Sequence, residues 1–276
     1  MSKKRSGHMK KGLILEGGGT RGIYTAGVLD VFMEHSIEFD GVIGVSAGAI
    51  HGCSYVSKQR GRSLRYYLKY CKDPRFMSFT SLLKTGDYVG SKFCYHEIPE
   101  KLDVYDFNCT NVETGKAEYI LLKDMKEDVE YLRASASLPY FSRIVEINGN
   151  KYLDGGCSDS VPVKAFEDMG YNKNVVILTR HLEYKKKAEF GKIVDIYYRK
   201  FPKFVQSLKE RHTLYNDTIS YIRGKKEDGA VFVIQPKQAL AIGRLERNPE
   251  KVQLIYNQGY QDGLANIEKV KKFLEG

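Results

Sequence analysis

Two strand–turn–helix units lie close together near the start of the chain, and they constrain its fold more than any other feature. The apolar run Leu13–Leu15 leads through a glycine-rich turn into apolar residues at helical spacing over 22–35. A second strand is predicted at Asp40–Gly44, and another glycine turn follows it. The helix predicted next, over 47–57, is rich in small residues, which allow close packing on a sheet. Strands that alternate with helices in this way predict an α/β layer structure.

Two β-hairpins are predicted further along the chain, because a turn dipeptide lies between two apolar runs in each case. One dipeptide is Thr114-Gly115 and the other is Asn148-Gly149. The four strands that they would join span 104–110, 117–121, 144–147 and 151–153.

The pattern changes near residue 180. A helix from Pro162 to Gly170 and a buried strand at 175–179 precede this point. Beyond it the sequence is helical and basic to about Arg223, and a strand at 230–234 and an amphipathic helix at 249–274 follow. The three parts expected are a flexible tail (1–10), an α/β domain (11–180) and a mainly helical accessory region (181–276).

Charge and hydropathy exclude a membrane-spanning protein. The formal net charge is +10, and five basic residues among the first eleven carry half of it, which leaves about +5 for the rest. Ser6–Met9 resembles a cloning remnant ahead of a native start at Met9, so no function is attached to the tail. The longest aliphatic run, Val175–Leu178, is far shorter than the ~20 residues that cross a bilayer. Glu16 interrupts the first apolar run too early for a secretory signal. We expect a cytoplasmic protein, with peripheral contact at the inner membrane surface left open.

Cysteine and ligand spacing predict no metal site and no disulfide framework. The five cysteines are odd in number and include no CxxC pair, and aspartate and histidine do not cluster at ligand spacing. Cys157, although close to Asp154, is expected to be a buried packing residue.

The second glycine turn, Gly44-Val45-Ser46-Ala47-Gly48, matches the GxSxG pattern of a nucleophile elbow. A serine on a sharp turn between a buried strand and a helix has its hydroxyl lifted clear of the backbone, and the helix N-terminus favours developing negative charge. The alternative is an ordinary tight turn that uses glycine for steric reasons.

The first glycine turn, Gly17–Gly22, exposes successive backbone N–H groups. These donors could cradle a phosphate or stabilise an oxyanion during acyl transfer. A dinucleotide site would need an acidic residue after the next strand, but Glu38 and Asp40 precede that strand. The oxyanion interpretation is therefore favoured.

Asp154-Gly155-Gly156 follows the predicted strand at 151–153. An aspartate at a strand end with glycines behind it can approach another loop closely, although such a triplet is more often an ordinary Asx turn.

In this order the three motifs resemble the patatin-like phospholipase family, whose pattern is GGGxRG, GxSxG and DG[AG]. The resemblance spans roughly 11–170, and the segment Ala134–Pro139 with Phe141 is also similar to the family. It implies a three-layer α/β/α sheet with a C-terminal helical extension, and a Ser-Asp dyad that needs no histidine and no cofactor.

Carried over by motif position, the resemblance makes Ser46 the nucleophile and Asp154 the general base. The N–H groups of Gly18 and Gly19 would bind the oxyanion, and Arg21 would brace the loop or meet a phosphate head group. The remaining motif and substrate-binding positions are Gly17, Gly22, Gly44, Gly48, Gly155 and Gly156.

A hydrolase with a Ser-His-Asp triad would need a histidine in a loop after the acid. His181 begins a charged stretch and His212 lies inside a helical one, so neither is suitably placed. His51, five residues after the serine, is expected to be structural.

Basic and aromatic residues are interleaved over 184–211. This stretch could contact anionic lipid head groups while its aromatic rings enter the interface. A helix packed on the main domain with a solvated basic face is an equally good interpretation. No nucleic-acid partner is expected, because no recognised binding motif accompanies the charge.

The sequence thus predicts a serine hydrolase of lipid carboxylic esters, similar to phospholipase A or lysophospholipase. The first alternative is a non-catalytic lipid- or acyl-binding module on the same scaffold. The second is a nucleotide-binding α/β protein that uses Gly17–Gly22.

Overall fold

A computed structural model describes residues 9–98, 110–111, 113–121, 125–189 and 191–276. The predicted tail, up to residue 8, and the predicted strand over 104–109 lie outside the described residues.

Four parallel strands form the central sheet, in the order β2–β1–β6–β7. They are β1 (Lys10–Leu15), β2 (Gly41–Gly44), β6 (Tyr171–Ile177) and β7 (Val231–Ile234). Leu15 at the end of β1 lies opposite Gly44 on one side and Ile177 on the other. The carboxyl ends of these three strands therefore meet at one edge, which is where open α/β sheets bind ligands.

Alternate residues of the sheet face two separate helical layers. Leu13 and Leu15 pack with Val175 and Ile177 against α1 (Ile23–Glu34) and α9 (Pro249–Glu275). Ile14 and its neighbours on the opposite face pack against α6 (Val163–Asp168) and α8 (Pro202–Glu227). The predicted three-layer α/β/α sheet with a helical C-terminal region is confirmed.

Five other helices are described. They are α2 (Ala47–Val56), α3 (Arg62–Tyr70), α4 (Phe79–Thr85), α5 (Met125–Ser135) and α7 (Ile193–Tyr197). Short 3₁₀ turns occupy Gly19–Gly22 and Gly155–Cys157, and a π-helical turn occupies Phe93–Glu97.

A small antiparallel sheet has the order β3–β5–β4. It contains β3 (Thr110–Asn111), β4 (Val145–Ile147) and β5 (Asn150–Leu153), and β4 and β5 form the predicted hairpin. Asn148 and Gly149 have φ of 51° and 79°, as a tight two-residue hairpin turn requires.

The other predicted hairpin lies partly outside the described residues. Thr110 and Asn111 pair with β5, and 117–121 contains a single bridge residue, Ala117, and no continuous strand. Side-chain contacts hold that segment instead: the Tyr119 hydroxyl donates to Asp159 at 2.6 Å, and Leu121 is largely exposed.

The stretch predicted to be helical and basic from 181 to about 223 contains two separate helices, α7 and α8, and residues 181–189 before them are irregular. Pro202 is the first residue of α8, and a proline cannot donate the backbone hydrogen bond that would continue a helix through this point.

The C-terminal helix α9 packs closely along α1. A Cβ on Gly259 would lie 2.0 Å from the Tyr24 carbonyl oxygen, so only glycine allows this approach. The Tyr24 hydroxyl donates to Asp262 at 2.8 Å, and the Tyr256 hydroxyl donates to Asp30 at 2.6 Å. No helix in the described part of the chain is both long and apolar enough to cross a membrane.

Candidate active site

Ser46 lies in the turn between β2 and α2, and its backbone has φ 54° and ψ −122°. A positive φ is rare for a residue with a side chain and marks a constrained turn. Neither flanking glycine has room for a side chain. A Cβ on Gly44 would lie 2.7 Å from the Ala49 nitrogen, and a Cβ on Gly48 would lie 2.5 Å from the Leu15 carbonyl oxygen. The predicted strand–turn–helix context of the elbow is therefore present.

Asp154 follows β5 and is fully buried beside the elbow. Its Oδ1 accepts the Gly156 N–H at 2.8 Å, which is the Asx turn that the alternative interpretation of this triplet described. Its Oδ2 is buried and makes no hydrogen bond of ordinary geometry with the described residues. Burial raises the pKa of Asp154, while the nearby Ser46 hydroxyl and the Arg211 guanidinium act in the opposite direction.

The first glycine turn lies against the elbow, since a Cβ on Gly17 would be 3.3 Å from the Ser46 Cβ. The Gly17 N–H donates to Ser160 at 3.3 Å, and the Thr20 N–H donates to the Arg244 carbonyl at 2.9 Å. Gly18 and Gly19 lie between these two residues in sequence. Neither of their N–H groups has a hydrogen-bond acceptor among the described residues. Gly19 has φ +58°, and a Cβ there would lie 2.5 Å from the Arg244 carbonyl oxygen.

Ser46 lines two cavities that meet at the elbow. The larger encloses about 870 Å³, part of it open to solvent, and contains Ser46, Gly19 and mostly apolar or aromatic side chains. Those side chains include Ile50, Tyr66, Tyr67, Phe76, Met77, Val89 and Leu132. An elongated apolar group could occupy this space next to the serine hydroxyl.

The second cavity, of about 420 Å³ including open solvent, is polar. Its lining brings together Gly17–Gly19, Arg21, Ser46, Asp154 and Gly156. Arg21 is buried, and burial together with Arg180 lowers its pKa to about 10. Its Nε has no hydrogen-bond partner within the described ranges.

Two further motif glycines, Gly22 and Gly155, lie in the turns that adjoin the site. A Cβ on Gly22 would be 2.8 Å from that of Ala47, so this glycine lets the first glycine turn pack on the start of α2. Gly155 begins the 3₁₀ turn that follows Asp154.

No histidine among the described residues lines either cavity. His51 is buried, its Nδ1 lies 2.9 Å from the Ser63 hydroxyl, and burial and Arg62 lower its pKa to about 3. His181 lines a separate small cavity, and the half-buried His212 bonds to the Lys209 carbonyl. In the same described residues, no cluster of three or more His, Cys, Asp or Glu could hold a metal ion.

Sequence reasoning missed several polar residues of the site. The Ser135 hydroxyl accepts the Ser46 N–H at 3.0 Å and so helps to fix the elbow. Glu16 accepts from the Tyr215 hydroxyl at 2.8 Å and from the Thr179 hydroxyl at 3.0 Å. Its position at the end of an apolar strand, directly before the glycines, was a usable signal, because a carboxylate there must be buried and hydrogen-bonded.

Comparison with known proteins identifies the family. Residues 13–167, more than half of the chain, match the sequence profile described as patatin-like phospholipase. The chain belongs to the patatin-like phospholipase family. Membership supports a lipid hydrolase activity generally. Residues 201–275 match a second profile, described as a domain of unknown function (DUF6363).

Related proteins are similar at low identity. The uncharacterized protein YjjU of Escherichia coli K12 is 27% identical over 251 residues, covering 84% of this chain and 70% of YjjU. Lysophospholipase NTE1 of Cryptococcus neoformans is 22% identical over 285 residues, and this chain spans 95% of its own length but 17% of NTE1. The solved structure of VipD from Legionella pneumophila aligns with a TM-score of 0.46 at 12% identity, covering 99% of this chain and 69% of VipD.

Proposed function

We propose that this patatin-like protein is a serine acyl hydrolase that cleaves carboxylic ester bonds of lipids, as a phospholipase A or a lysophospholipase does. One observation carries the proposal: Ser46 stands on a constrained elbow between a large apolar cavity and a buried, incompletely bonded Asp154. The names of the NTE1 relatives agree with this substrate class.

In the proposed reaction the acyl chain occupies the apolar cavity and the ester carbonyl lies at Ser46. The Ser46 hydroxyl oxygen attacks the carbonyl carbon while its proton passes to Asp154. The N–H groups of Gly18 and Gly19 donate to the oxygen that becomes negatively charged. The C–O bond to the alcohol then breaks, and the departing alkoxide takes the proton from Asp154.

The acyl group is then bonded to Ser46. A water molecule gives a proton to Asp154 and attacks the acyl carbonyl, and the Ser46 oxygen leaves and recovers that proton. Each half of the reaction returns Asp154 to its ionised form, so a carboxylate whose pKa is raised towards the working pH suits both steps.

Peripheral contact with an anionic membrane surface is part of the proposal. In the stretch 184–211, Tyr198 and Phe204 are buried and cannot enter a lipid interface. Among the described residues of this stretch, the exposed apolar side chains are those of Ile193, Ile196 and Tyr197 on α7, and the exposed Lys192 lies beside them. α7 therefore offers apolar residues for the interface and a lysine for lipid head groups.

The test is hydrolysis of p-nitrophenyl esters and phospholipids by Ser46→Ala, with Ser57→Ala as the matched control. Ser57 follows α2 at its other end and lines neither cavity. We expect Ser46→Ala to lower kcat by several orders of magnitude with the fold intact, and Ser57→Ala to retain activity. More than a tenth of wild-type turnover in Ser46→Ala would contradict the nucleophile assignment. Wild-type protein that binds acyl esters without hydrolysing them would instead be a non-catalytic lipid-binding module.

A further inference from the structure

The polar cavity beside Ser46 holds an unusual excess of positive charge. Its lining includes five basic side chains, those of Arg21, Arg180, Lys186, Arg211 and Arg244. Three of them, Lys186, Arg211 and Arg244, come from the C-terminal third of the chain, outside the residues that match the patatin-like profile.

Apart from the proposed base Asp154, two nearby acids are already engaged. Glu16 accepts hydrogen bonds from Tyr215 and Thr179. Glu189 is shared by two cations: Arg244 donates to both of its oxygens, at 2.8 and 3.0 Å, and Arg211 donates to one at 3.1 Å.

Within the described part of the chain, Arg21 and Lys186 make no ion pair, although both side chains are more than nine-tenths buried. Lys186 lies over the Tyr215 ring at 4.0 Å, and two hydrogen bonds between its backbone and Asn216 hold this segment against α8. Burial and the neighbouring Arg211 lower the pKa of Lys186 to about 7.

Buried cations without partners cost free energy, and a bound anion removes that cost. Guanidinium groups present several donors in a fixed plane that matches phosphate oxygens, and an ammonium adds a compact charge. Because Ser46 lines both cavities, an ester whose carbonyl is at Ser46 would extend its acyl chain into the apolar cavity and its alcohol into the polar one.

We propose that Lys186, Arg211 and Arg244, together with Arg21, bind a phosphate group on the alcohol part of the substrate, so that acyl esters bearing a terminal phosphate are preferred. This inference rests on the proposed hydrolase function and deepens it. The C-terminal region would then determine substrate choice, while the glycine turns and Asp154 perform the reaction.

The experiment compares a monoacylglycerol phosphate with the monoacylglycerol of the same chain length. Lys186→Met is the test variant, because it keeps the length of the side chain and removes only its charge. Lys186→Arg restores the charge, and Lys187→Met, an exposed neighbour outside the cavity, is the control. Arg211 is a poorer choice, since it also donates to the Gly156 carbonyl beside Asp154.

We expect the wild-type protein to favour the phosphate ester in kcat/KM. Lys186→Met should reduce the ratio of the two kcat/KM values roughly ten- to hundredfold, the scale of a lost charge-assisted hydrogen bond. Lys186→Arg should recover most of the ratio, and Lys187→Met should not change it. Equal hydrolysis of both esters, or a ratio that Lys186→Met leaves unchanged, would overturn the phosphate site while leaving the hydrolase function intact.

A calorimetric titration of Ser46→Ala with glycerol phosphate, and another with inorganic phosphate, tests the phosphate site separately from the hydrolase function. If the wild-type protein hydrolyses neither ester, the phosphate site is still supported when Ser46→Ala binds glycerol phosphate and the double variant with Lys186→Met does not. Absence of glycerol phosphate binding to Ser46→Ala overturns the phosphate site. Binding of inorganic phosphate with no preference for the phosphate ester would overturn the head-group assignment, because the site would then serve a free anion.

Discussion

At the scale of single residues, Asp154 meets two opposed requirements. A general base must accept a proton easily, and burial raises the pKa of this carboxyl in the direction that such a role needs. The same burial makes the ionised form costly to the folded state, because Oδ2 lacks a partner among the described residues. The burial that suits Asp154 to act as a base therefore lowers the stability of the folded protein when the carboxyl group is ionised.

We expect Asp154→Asn to lose nearly as much activity as Ser46→Ala and to raise the melting temperature at neutral pH by a few degrees. A folded-state pKa above the unfolded value means that wild-type stability falls as the pH rises through the folded pKa. The advantage of the asparagine variant should therefore shrink as the pH is lowered towards the ordinary aspartate value of 3.8. Thermal unfolding of both proteins across this pH range checks it, and an active or less stable variant would contradict it.

The wild-type kcat/KM should rise with pH through the raised pKa of Asp154, since only the ionised carboxylate accepts the serine proton. Histidine variants provide the control: His181→Ala and His212→Ala should each keep the same profile and most of the activity. An inactive but folded histidine variant would place the base elsewhere.

At the scale of elements, the strands and helices predicted correctly from the sequence are mainly those that begin or end at a marked glycine turn. The β1 and β2 units, the hairpin at Asn148-Gly149 and the strand before Asp154 are all in place, because glycine and asparagine mark conformations that other residues avoid. Helix α3 was not predicted, and its Tyr66 and Tyr67 line the apolar cavity. A single glycine, Gly61 (φ 72°), precedes it rather than a glycine run or a paired turn dipeptide, and a tyrosine pattern does not distinguish a cavity wall from an ordinary core.

Lys186 shows the same limit for the site. It lies between Lys185 and Lys187, and a run of lysines normally indicates a solvated surface. Its contacts with Tyr215 and Asn216, about thirty residues further along the chain, help to bury it. Long-range contacts of this kind are not written in local sequence patterns.

The packing of α9 on α1 gives a prediction at this scale. Gly259→Ala should destabilise the protein by about 1–3 kcal/mol, because the added Cβ would meet the Tyr24 carbonyl of α1. Gly224→Ala in α8 is the control: it has nothing within 4 Å and should be neutral or stabilising by up to about 1 kcal/mol. Urea unfolding of both variants measures the difference, and equal stabilities would contradict the close approach.

At the scale of the whole molecule, the C-terminal residues are built into the sheet and into the site. β7 extends the central sheet beside β6, and the Arg244 carbonyl accepts the Thr20 N–H of the first glycine turn. The active-site loops are therefore held partly by residues that lie more than two hundred positions away in sequence.

We expect the helical signal and the esterase activity to disappear together in one thermal transition. The shared sheet and the α1–α9 contact join the N-terminal and C-terminal parts of the described chain, and parts joined in this way unfold together. Circular dichroism and residual activity recorded over the same temperature range measure this. A first transition that melts helix while activity persists would show that the C-terminal region is independent of the site.

The central claim is that Ser46 forms a covalent acyl-enzyme with help from Asp154. A fluorophosphonate ester reacts preferentially with an activated serine and leaves a stable adduct, so the modified residue can be located by mass spectrometry of peptides. We predict a single adduct on Ser46 that appears in step with the loss of activity and forms much more slowly in Asp154→Asn. Labelling of another residue in step with inactivation, or full activity in protein that is stoichiometrically labelled at Ser46, would contradict the account.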